Sequence, residues 1–382
     1  MTELNADFAP DWVSHPGESI LDIAEERGWS QLELAQRMGY SEKHMSLLIN
    51  GKVSLSVEAA QKLERVVGGS VESWLAREAN YQTHKARLAA VLDHEQWADW
   101  LDTLPVKALM ANGSIPSNRL TSSNKPAIVE ACLRFFGVAS PEEWRRHYGQ
   151  MQLAFRKKTS KTPKIGAIAA WLRLGEKQAE QQELVKFNKG RFEKALQRIR
   201  HLGCEQPEIL DQAIRKLLTE SGVLFVLVPA IPGAGVSGVA RWLGPTRPMI
   251  QMSLLGKTND KFWFTFFHEA AHLLLHSGSN DAKKSIFLDS THDESSNDPQ
   301  ELEADAWASN WLIPPIHEPR LRQLVTEQDV CEFATELGIH PGTVVGRMQH
   351  EGIIANNRMN NLKLSLTLTP CNEQIGAYRI TA

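Results

Sequence analysis

The sequence predicts a mainly α-helical protein with a smaller α+β part towards its C-terminus. Over residues 1–80, short helical patterns are broken at glycines, which predicts a compact helical domain. From about residue 81 to residue 200, the apolar residues keep the spacing of amphipathic helices. After Cys204, short runs rich in β-branched residues lie between Gly and Pro, which is typical of a small sheet.

Composition is typical of a soluble globular protein with more than one domain. The 382 residues are 42% hydrophobic and 23% charged, with a net charge of −3, and one ordinary domain is shorter. No apolar run approaches the ~20 residues of a membrane helix, and the first residues lack the features of a signal peptide. The cysteines are scattered, which argues against disulfides or a thiolate zinc site and predicts a cytoplasmic protein: Cys132, Cys204, Cys331 and Cys371.

The charges are distributed unevenly along the chain. Residues 1–80 contain seven Lys/Arg and thirteen Asp/Glu, a net charge of −6. Residues 151–200 contain thirteen Lys/Arg and four Glu, a net charge of +9. A basic segment can attract nucleic acid or an acidic partner, but it can equally be the solvated face of a helix. Both interpretations stay open at this stage.

The segment SQLELAQRMGYSEKHMSLLINGK, Ser30 to Lys52, has the format of two helices around a tight turn. Ser30 and Glu33 form a capping-box pattern that starts the first helix, and Gly39 can take the left-handed conformation that ends it. Ser41 then caps a second helix whose apolar residues face inward. In a helix-turn-helix, the N-terminal end of that second helix enters the major groove of DNA.

The polar positions of this motif are the candidate DNA contacts. Side chains near the start of the second helix would read bases, and nearby basic groups would contact phosphates. Because the domain is acidic overall, few salt-sensitive phosphate contacts are expected. The alternative is a helical hairpin used only for protein contacts. The candidate DNA-binding residues are Gln31, Ser41, Glu42, Lys43, His44, Ser46 and Lys52.

The stretch from His15 to Tyr81 resembles the HigA-type antitoxins of the XRE, or lambda-repressor-like, family. The resemblance is carried by HPGE, SQLELAQRMG, LINGK and the SWL of a fifth helix. It implies a five-helix DNA-binding domain over residues 1–82, a homodimer that binds double-stranded operator DNA through Ser41–Ser46, and autorepression. It also implies a cognate toxin as partner, although the acidity of the domain departs from the family's pattern.

The segment FTFFHEAAHLLLH, Phe264 to His276, contains two histidines four residues apart and a glutamate after the first. Residues at i and i+4 of a helix lie about 40° apart on one face, so His268 and His272 can bind one Zn²⁺ ion. Glu269 lies beside that face, where it can act as the catalytic base on a water molecule that zinc makes more acidic. The alternative is a buried amphipathic helix that happens to contain three histidines.

A catalytic zinc site needs a third protein ligand. Glu301 is the expected ligand, on a later helix whose alanines permit close packing, and Glu303 is its rival on a different face. Asp305, one turn after Glu301, is expected to hydrogen-bond a ligand histidine. His276 is expected to pack or to support the ligands rather than to bind the ion, and His292 is expected to be solvated.

The segments FWFTFFHEAAHLLLH and ELEADAWASNWLIPP together resemble the ImmA/IrrE family of metallopeptidases. That family pairs HExxH with a downstream E-x-x-A-[ND]-x-aromatic-A helix that ends in a hydrophobic-Pro motif. The resemblance implies a gluzincin-like zinc fold over residues 204–357 and endopeptidase activity against a repressor or partner regulator. Other stretches match a longer subgroup that joins this peptidase to an XRE domain: LPVKALMANGSI, FFGVASPEEW, AAWLRLGE and PGTVVGRMQHEG.

Two functions from different classes remain after this reading. The first is a cytoplasmic regulator and antitoxin that binds DNA and cleaves a partner protein with zinc. The second is a non-catalytic antitoxin whose peptidase fold is a toxin-binding or sensing scaffold. A third possibility gives the basic part of the helical middle region, residues 83–203, a nucleic-acid role of its own, and the tail, residues 358–382, receives no role. An oxyanion donor, which a peptidase needs, has only weak candidates: His317, Arg241 and Arg347.

Overall fold

The computed structural model describes residues 13–156, 164–180, 182–276, 287–289, 298–371 and 378–381. The chain divides into two compact units. The first unit comprises Met1–Ala98 and Lys125–Ala127, and the second comprises Asp99–Asn124 and Ile128–Ala382. Among the described residues, no helix combines the length and apolarity needed to span a membrane.

The described part of the chain up to residue 98 folds into five α-helices, the number that the resemblance implies, but the fifth runs past the expected domain boundary at residue 82. Their apolar faces enclose one core, in which Ile20, Leu34, Met45 and Leu63 are fully buried. The last helix is much longer than the other four. The helices are α1 (Pro16–Glu26), α2 (Gln31–Met38), α3 (Glu42–Ile49), α4 (Val57–Val66) and α5 (Val71–Gln96).

Serine caps start four of these helices. Ser30 Oγ accepts from the Glu33 amide at 3.2 Å, and Ser41 Oγ accepts from the His44 amide at 3.2 Å; Ser56 and Ser70 cap α4 and α5 in the same way. Of the capping box predicted at α2, only the bond to the Ser30 side chain forms. The Glu33 carboxylate binds Arg37 at 2.7 Å. Gly39 ends α2 at φ 66°, as its position predicts.

The second unit begins with helices that surround an aromatic cluster. Trp100, Phe136, Trp144 and Tyr148 are buried with ring centroids 5.6–6.2 Å apart, mostly edge to face. The helices of this region are α6 (Val106–Ala111), α7 (Lys125–Phe136), α8 (Pro141–Arg156), α9 (Ile165–Glu180), α10 (Lys189–Arg200) and α11 (Pro207–Ser221).

Several arginines of the basic segment 151–200 serve the fold itself. Arg173 donates to the Phe135 carbonyl and pairs with Glu176 at 3.0 Å. Arg200 donates to the carbonyls of Trp311, Leu312 and Leu337 at 2.8–3.0 Å. The lysine-rich part of the segment, residues 157–163, lies outside the described residues. The described arginines therefore account for part of the positive charge without a nucleic acid.

A four-stranded mixed sheet follows, with strand order β1-β3-β2-β4. β1 is parallel to β3, and β2 is antiparallel to both β3 and β4. The first three strands lie in the runs that predict them. The fourth was not predicted, because it is a three-residue strand inside a polar stretch that reads as a loop. The strands are β1 (Leu224–Leu227), β2 (Gly238–Trp242), β3 (Pro248–Met252) and β4 (Phe287–Asp289).

α12 lies against one face of this sheet, with α13 and α16 against α12, and α9 lies against the other face. The end of the chain belongs to the same core, because Leu366 and Ile380 are buried in it. The Leu364 amide also donates to Asn259 Oδ1, at the start of α12. These elements are α12 (Asn259–Leu275), α13 (Pro299–Leu312), α14 (Glu318–Leu321), α15 (Glu327–Leu337), α16 (Pro341–His350), β5 (Thr367–Pro370) and β6 (Tyr378–Thr381).

Replacing Arg200 should destabilise the second unit. Its guanidinium satisfies carbonyls at the ends of α13 and α15, so Arg200→Ala leaves partly buried acceptors without this donor. We expect the free energy of unfolding to fall by about 3 kcal/mol, measured by chemical denaturation of the full chain. Arg198→Ala is the matched control, since Arg198 is exposed two residues away. Equal stability of both variants would contradict this role.

Candidate metal centre

The helix α12 is buried on almost all sides. Of its seventeen residues, only Lys261, Phe264 and Leu275 are not buried. A helix that is apolar all round has to lie in the interior, and α12 does so between the sheet, α13 and α16. Any polar side chain on it must therefore find its partners inside the protein.

Two of these side chains meet a third, from α13, at one point. His268 Nε2 and His272 Nε2 lie 3.0 Å apart, as their i, i+4 spacing predicts. Glu301 Oε2, from α13, lies 3.2 Å from the first nitrogen and 3.6 Å from the second. Among the described residues, these three bring their donor atoms within 4.8 Å of one another, close enough to share a metal ion. The structure thus brings together the ligand set that the sequence predicts.

This triangle has the size that zinc requires. Tetrahedral Zn²⁺ with nitrogen and oxygen ligands at ~2.0–2.1 Å places neighbouring ligand atoms about 3.3–3.4 Å apart. The three observed separations, 3.0, 3.2 and 3.6 Å, lie around that value. Two imidazoles and one carboxylate are also a donor set of zinc hydrolases, which leave the fourth position open. The residues present therefore fit a catalytic zinc ion.

The protonation state of His272 suits a metal ligand. Burial lowers the pKa of His272 to about 4, although its hydrogen bond with Glu301 acts in the opposite direction. Its imidazole is therefore neutral at pH 7. A neutral imidazole offers a nitrogen lone pair, which is the form that binds metals.

Small residues bring α13 close enough to deliver Glu301. Asp298 Oδ1 accepts from the Gln300 amide at 3.0 Å and starts the helix, with Pro299 at its first position. Ala304 and Ala308 are fully buried against α12. Their lack of bulk lets the two helix backbones approach, so that the short Glu301 side chain reaches both imidazoles.

Asp305 orients one ligand. His268 Nδ1 lies 2.8 Å from Asp305 Oδ1. Because an ionised carboxylate only accepts hydrogen bonds, the Nδ1–H of His268 donates and its Nε2 keeps the lone pair that faces the site. Support of a ligand histidine by a carboxylate is common around zinc.

His276 and Glu303 form a second supporting chain. His276 Nε2 lies 3.1 Å from Glu303 Oε2, and His276 Nδ1 lies 3.1 Å from His272 Nδ1. With the carboxylate accepting from Nε2–H, His276 Nδ1 accepts from His272, whose Nε2 then faces Glu301. Glu303, the alternative ligand candidate, thus contacts His276, which in turn contacts the outer nitrogen of His272. Only the recurrence of histidine at i+4 hinted at this chain in the sequence.

A glycine that the sequence reasoning missed makes room for Glu269. Glu269 is fully buried and its side chain lies against Gly238, the first residue of β2. A β-carbon added at Gly238 would lie 2.8 Å from Glu269 Oε1 and 2.6 Å from Thr265 Cγ2, closer than atoms tolerate. The available signal was a glycine at the start of a buried strand, which often marks a close approach of another group.

The three oxyanion candidates have other surroundings. Arg241 is three residues beyond Gly238 on β2, so it faces the opposite side of the sheet from α12. There it binds Glu176 and the Leu172 carbonyl, both at 2.7 Å, so its position does not support it as an oxyanion candidate. Arg347 pairs with Glu351, and His317 packs against Phe333 with ring centroids 6.1 Å apart. His292 lies outside the described residues.

The candidate DNA contacts lie on α2, on α3 and just after α3. Glu42, Lys43, His44 and Lys52 are exposed, while Gln31 and Ser46 are half-buried. Ser41 is exposed and caps α3. The His44 ring packs edge-on against Tyr40, with centroids 4.6 Å apart. Five of the candidates, from Ser41 to Ser46, therefore lie at the helix end that a helix-turn-helix presents to DNA, whereas Gln31 begins α2 and Lys52 follows the end of α3.

Two segments of the chain match models of known families. Residues 20–74 match the family model described as helix-turn-helix, and residues 233–348 match that of the IrrE N-terminal-like domain. Among solved structures, the chain is similar to a protein from Nostoc punctiforme assigned as an antidote of a plasmid maintenance system. The identity is 28%, over 21% of this chain and 94% of that chain, with a TM-score of 0.19. Among curated proteins, none matches.

Glu301→Gln and Glu303→Gln should separate the ligand from its supporting neighbour. Loss of an outer-shell partner lowers metal affinity by about 10–100-fold, which we expect for Glu303→Gln. Because Glu301 faces both imidazoles, Glu301→Gln should weaken zinc binding by more than that. Competition with a coloured chelator measures both affinities. A larger loss of zinc affinity from Glu303→Gln than from Glu301→Gln would contradict the assignment of Glu301 as the ligand.

Proposed function

We propose that this chain is a regulator with a zinc-dependent endopeptidase activity against a partner protein. The premise is that it carries a helix-turn-helix DNA-binding domain and an IrrE-like, metallopeptidase-like domain. One observation carries the proposal. His268, His272 and Glu301 present three donor atoms at zinc spacing, and Glu269 follows His268 on α12. A structural helix has no need for this combination.

The roles of the residues follow from their positions. His268, His272 and Glu301 would hold Zn²⁺, which supplies a Lewis acid that polarises a peptide carbonyl and acidifies water. Glu269 would take the proton from the attacking water and pass it to the leaving amine. Asp305 holds the His268 ring, and the Glu303–His276 pair holds the His272 ring.

The DNA-binding domain defines the biological setting of the proposal. Because residues 15–81 resemble HigA-type antitoxins, we assign the chain operator DNA as one partner, bound as a homodimer, and a cognate toxin or a repressor as the other. The peptidase would cleave that protein partner. The negative charge of residues 1–80 predicts that phosphate contacts come from the few basic groups near α3.

A second function is favoured by the burial of Glu269. A general base has to touch the water that it activates, and Glu269 has no exposed surface. A scaffold that binds a toxin or senses a signal requires the fold and the metal but not that contact. In this reading the chain is a non-catalytic antitoxin.

Coexpression with the neighbouring gene product separates the two functions. For a peptidase, the wild-type chain cleaves the partner, and Glu269→Gln, which removes the base, lowers cleavage at least about 100-fold. For a scaffold, both chains relieve toxicity equally and the partner stays intact. Mass spectrometry of the partner and growth of the host are the two measurements.

Matched controls keep the comparison specific. Metal analysis should find equal zinc in the wild type and in Glu269→Gln, because Glu269 is placed as a base rather than as a ligand. Glu332→Gln, an exposed position on α15, controls for the loss of one charge. Cleavage that persists in Glu269→Gln with full zinc content would contradict the proposed mechanism.

Lys43→Ala should weaken DNA binding without relaxing sequence preference. Lys43 is exposed in the first turn of α3, where a phosphate contact releases counterions and contributes about one unit to the salt slope of log K. Binding titrations of upstream DNA at several salt concentrations measure that slope. Arg65→Ala, an exposed change in the last turn of α4, is the control. Equal slopes for both variants would remove Lys43 from the interface.

A further inference from the structure

The helix α5 continues well beyond the core that it closes. Its first turns pack into that core, where Trp74 is 6% exposed and Glu78 is 7% exposed. Farther along the same helix, Leu88, Val91 and Leu92 are 56%, 46% and 60% exposed. Three large apolar side chains at i, i+3 and i+4 share one side of a helix, and such a side normally lies against another element.

The exposed residues continue the buried stripe. From Trp74, steps of three or four residues lead through Glu78 and Tyr81 to a second set, which is exposed throughout. Because steps of three and four follow one face of a helix, the face that α5 buries in its first half is the face that it exposes in its second half. The exposed set, called the α5 stripe, is Lys85, Leu88, Leu92 and Glu95.

The α5 stripe is complementary to itself. Its residues are symmetric about Ala90, since Leu88 and Leu92 lie two positions on either side and Lys85 and Glu95 lie five on either side. When two copies of such a helix pair antiparallel with their Ala90 residues at the same height along the helix axes, each Leu88 faces Leu92 and each Lys85 faces Glu95. The apolar pairs then lie at the centre, with an ion pair at each end.

We propose that the α5 stripe is the surface through which two copies of this chain associate, as an antiparallel pair of α5 helices around a two-fold axis at Ala90. The inference rests on the homodimer of the proposed function and adds the surface that forms it. A foreign helix would need matching charges by coincidence, whereas a second copy has them by symmetry.

The size of the α5 stripe predicts a weak dimer. From Lys85 to Glu95 the helix rises only about 15 Å, and the apolar contact consists of two leucines from each copy. Small interfaces of this kind belong to reversible associations. A two-fold pair of helix-turn-helix domains also predicts an operator with two related half-sites, whose binding would favour the dimer.

Charge reversal tests the proposal in the full-length protein. Lys85→Glu or Glu95→Lys alone turns both ion pairs of the dimer into like-charge pairs, and we expect the dimer dissociation constant to rise about tenfold. The double variant Lys85→Glu/Glu95→Lys restores opposite charges and should restore the wild-type constant. Sedimentation velocity over a concentration series, without DNA, measures all four proteins.

Asp93→Lys is the matched control. It reverses the same charge two residues from Glu95, on nearly the opposite side of the helix, so it should leave dimerisation unchanged.

Leu88→Gln/Leu92→Gln, which changes only exposed side chains, should yield monomers with an unchanged circular dichroism spectrum.

Two results overturn the inference in different ways. A dimer that responds to Glu95→Lys no more than to Asp93→Lys, or that the double variant does not rescue, rejects the α5 stripe and leaves the proposed homodimer intact. A wild-type chain that is monomeric at every concentration rejects both. Zinc content and cleavage of the partner are measured separately, so the peptidase proposal stands or fails independently.

Discussion

The contact between α12 and α13 determines the chemistry of the second unit. α12 is too apolar to lie at the surface, yet it carries two histidines and a glutamate into the interior. Burying polar groups costs free energy unless they find partners there. Because Ala304 and Ala308 are fully buried, α13 comes close enough for Glu301 to meet both imidazoles. Asp305 and the Glu303–His276 pair then hold the outer ring nitrogens, while the inner ring nitrogens face Glu301.

Elements distant from this contact support it. Arg200 donates to the last carbonyls of α13, and the end of the chain closes over the start of α12 through Leu364 and Asn259. Gly238 leaves the space that Glu269 occupies. The basic middle region and the C-terminal tail, whose roles the sequence did not predict, thus contribute to the same core as the metal centre.

The sequence predicted those features that depend on local spacing. His268 and His272 share a helix face, and Ser30, Gly39 and Ser41 cap or end helices, because one or two turns of a helix suffice to fix such relations. Contacts between distant segments could not be read in this way: Gly238 beneath Glu269, or Arg200 on α13. The strand β4 was not predicted because three residues are too few to show the alternation of a strand. Arg241 was misplaced because the face that a strand residue occupies depends on its register.

The central claim is that His268, His272 and Glu301 together hold one zinc ion, and X-ray absorption at the zinc edge of the purified full chain tests it most directly. We expect one zinc per chain, with nitrogen and oxygen neighbours at ~2.0–2.1 Å, two of them imidazole nitrogens. A spectrum with sulfur neighbours at ~2.3 Å, or a chain that retains no zinc after purification in its presence, would contradict it.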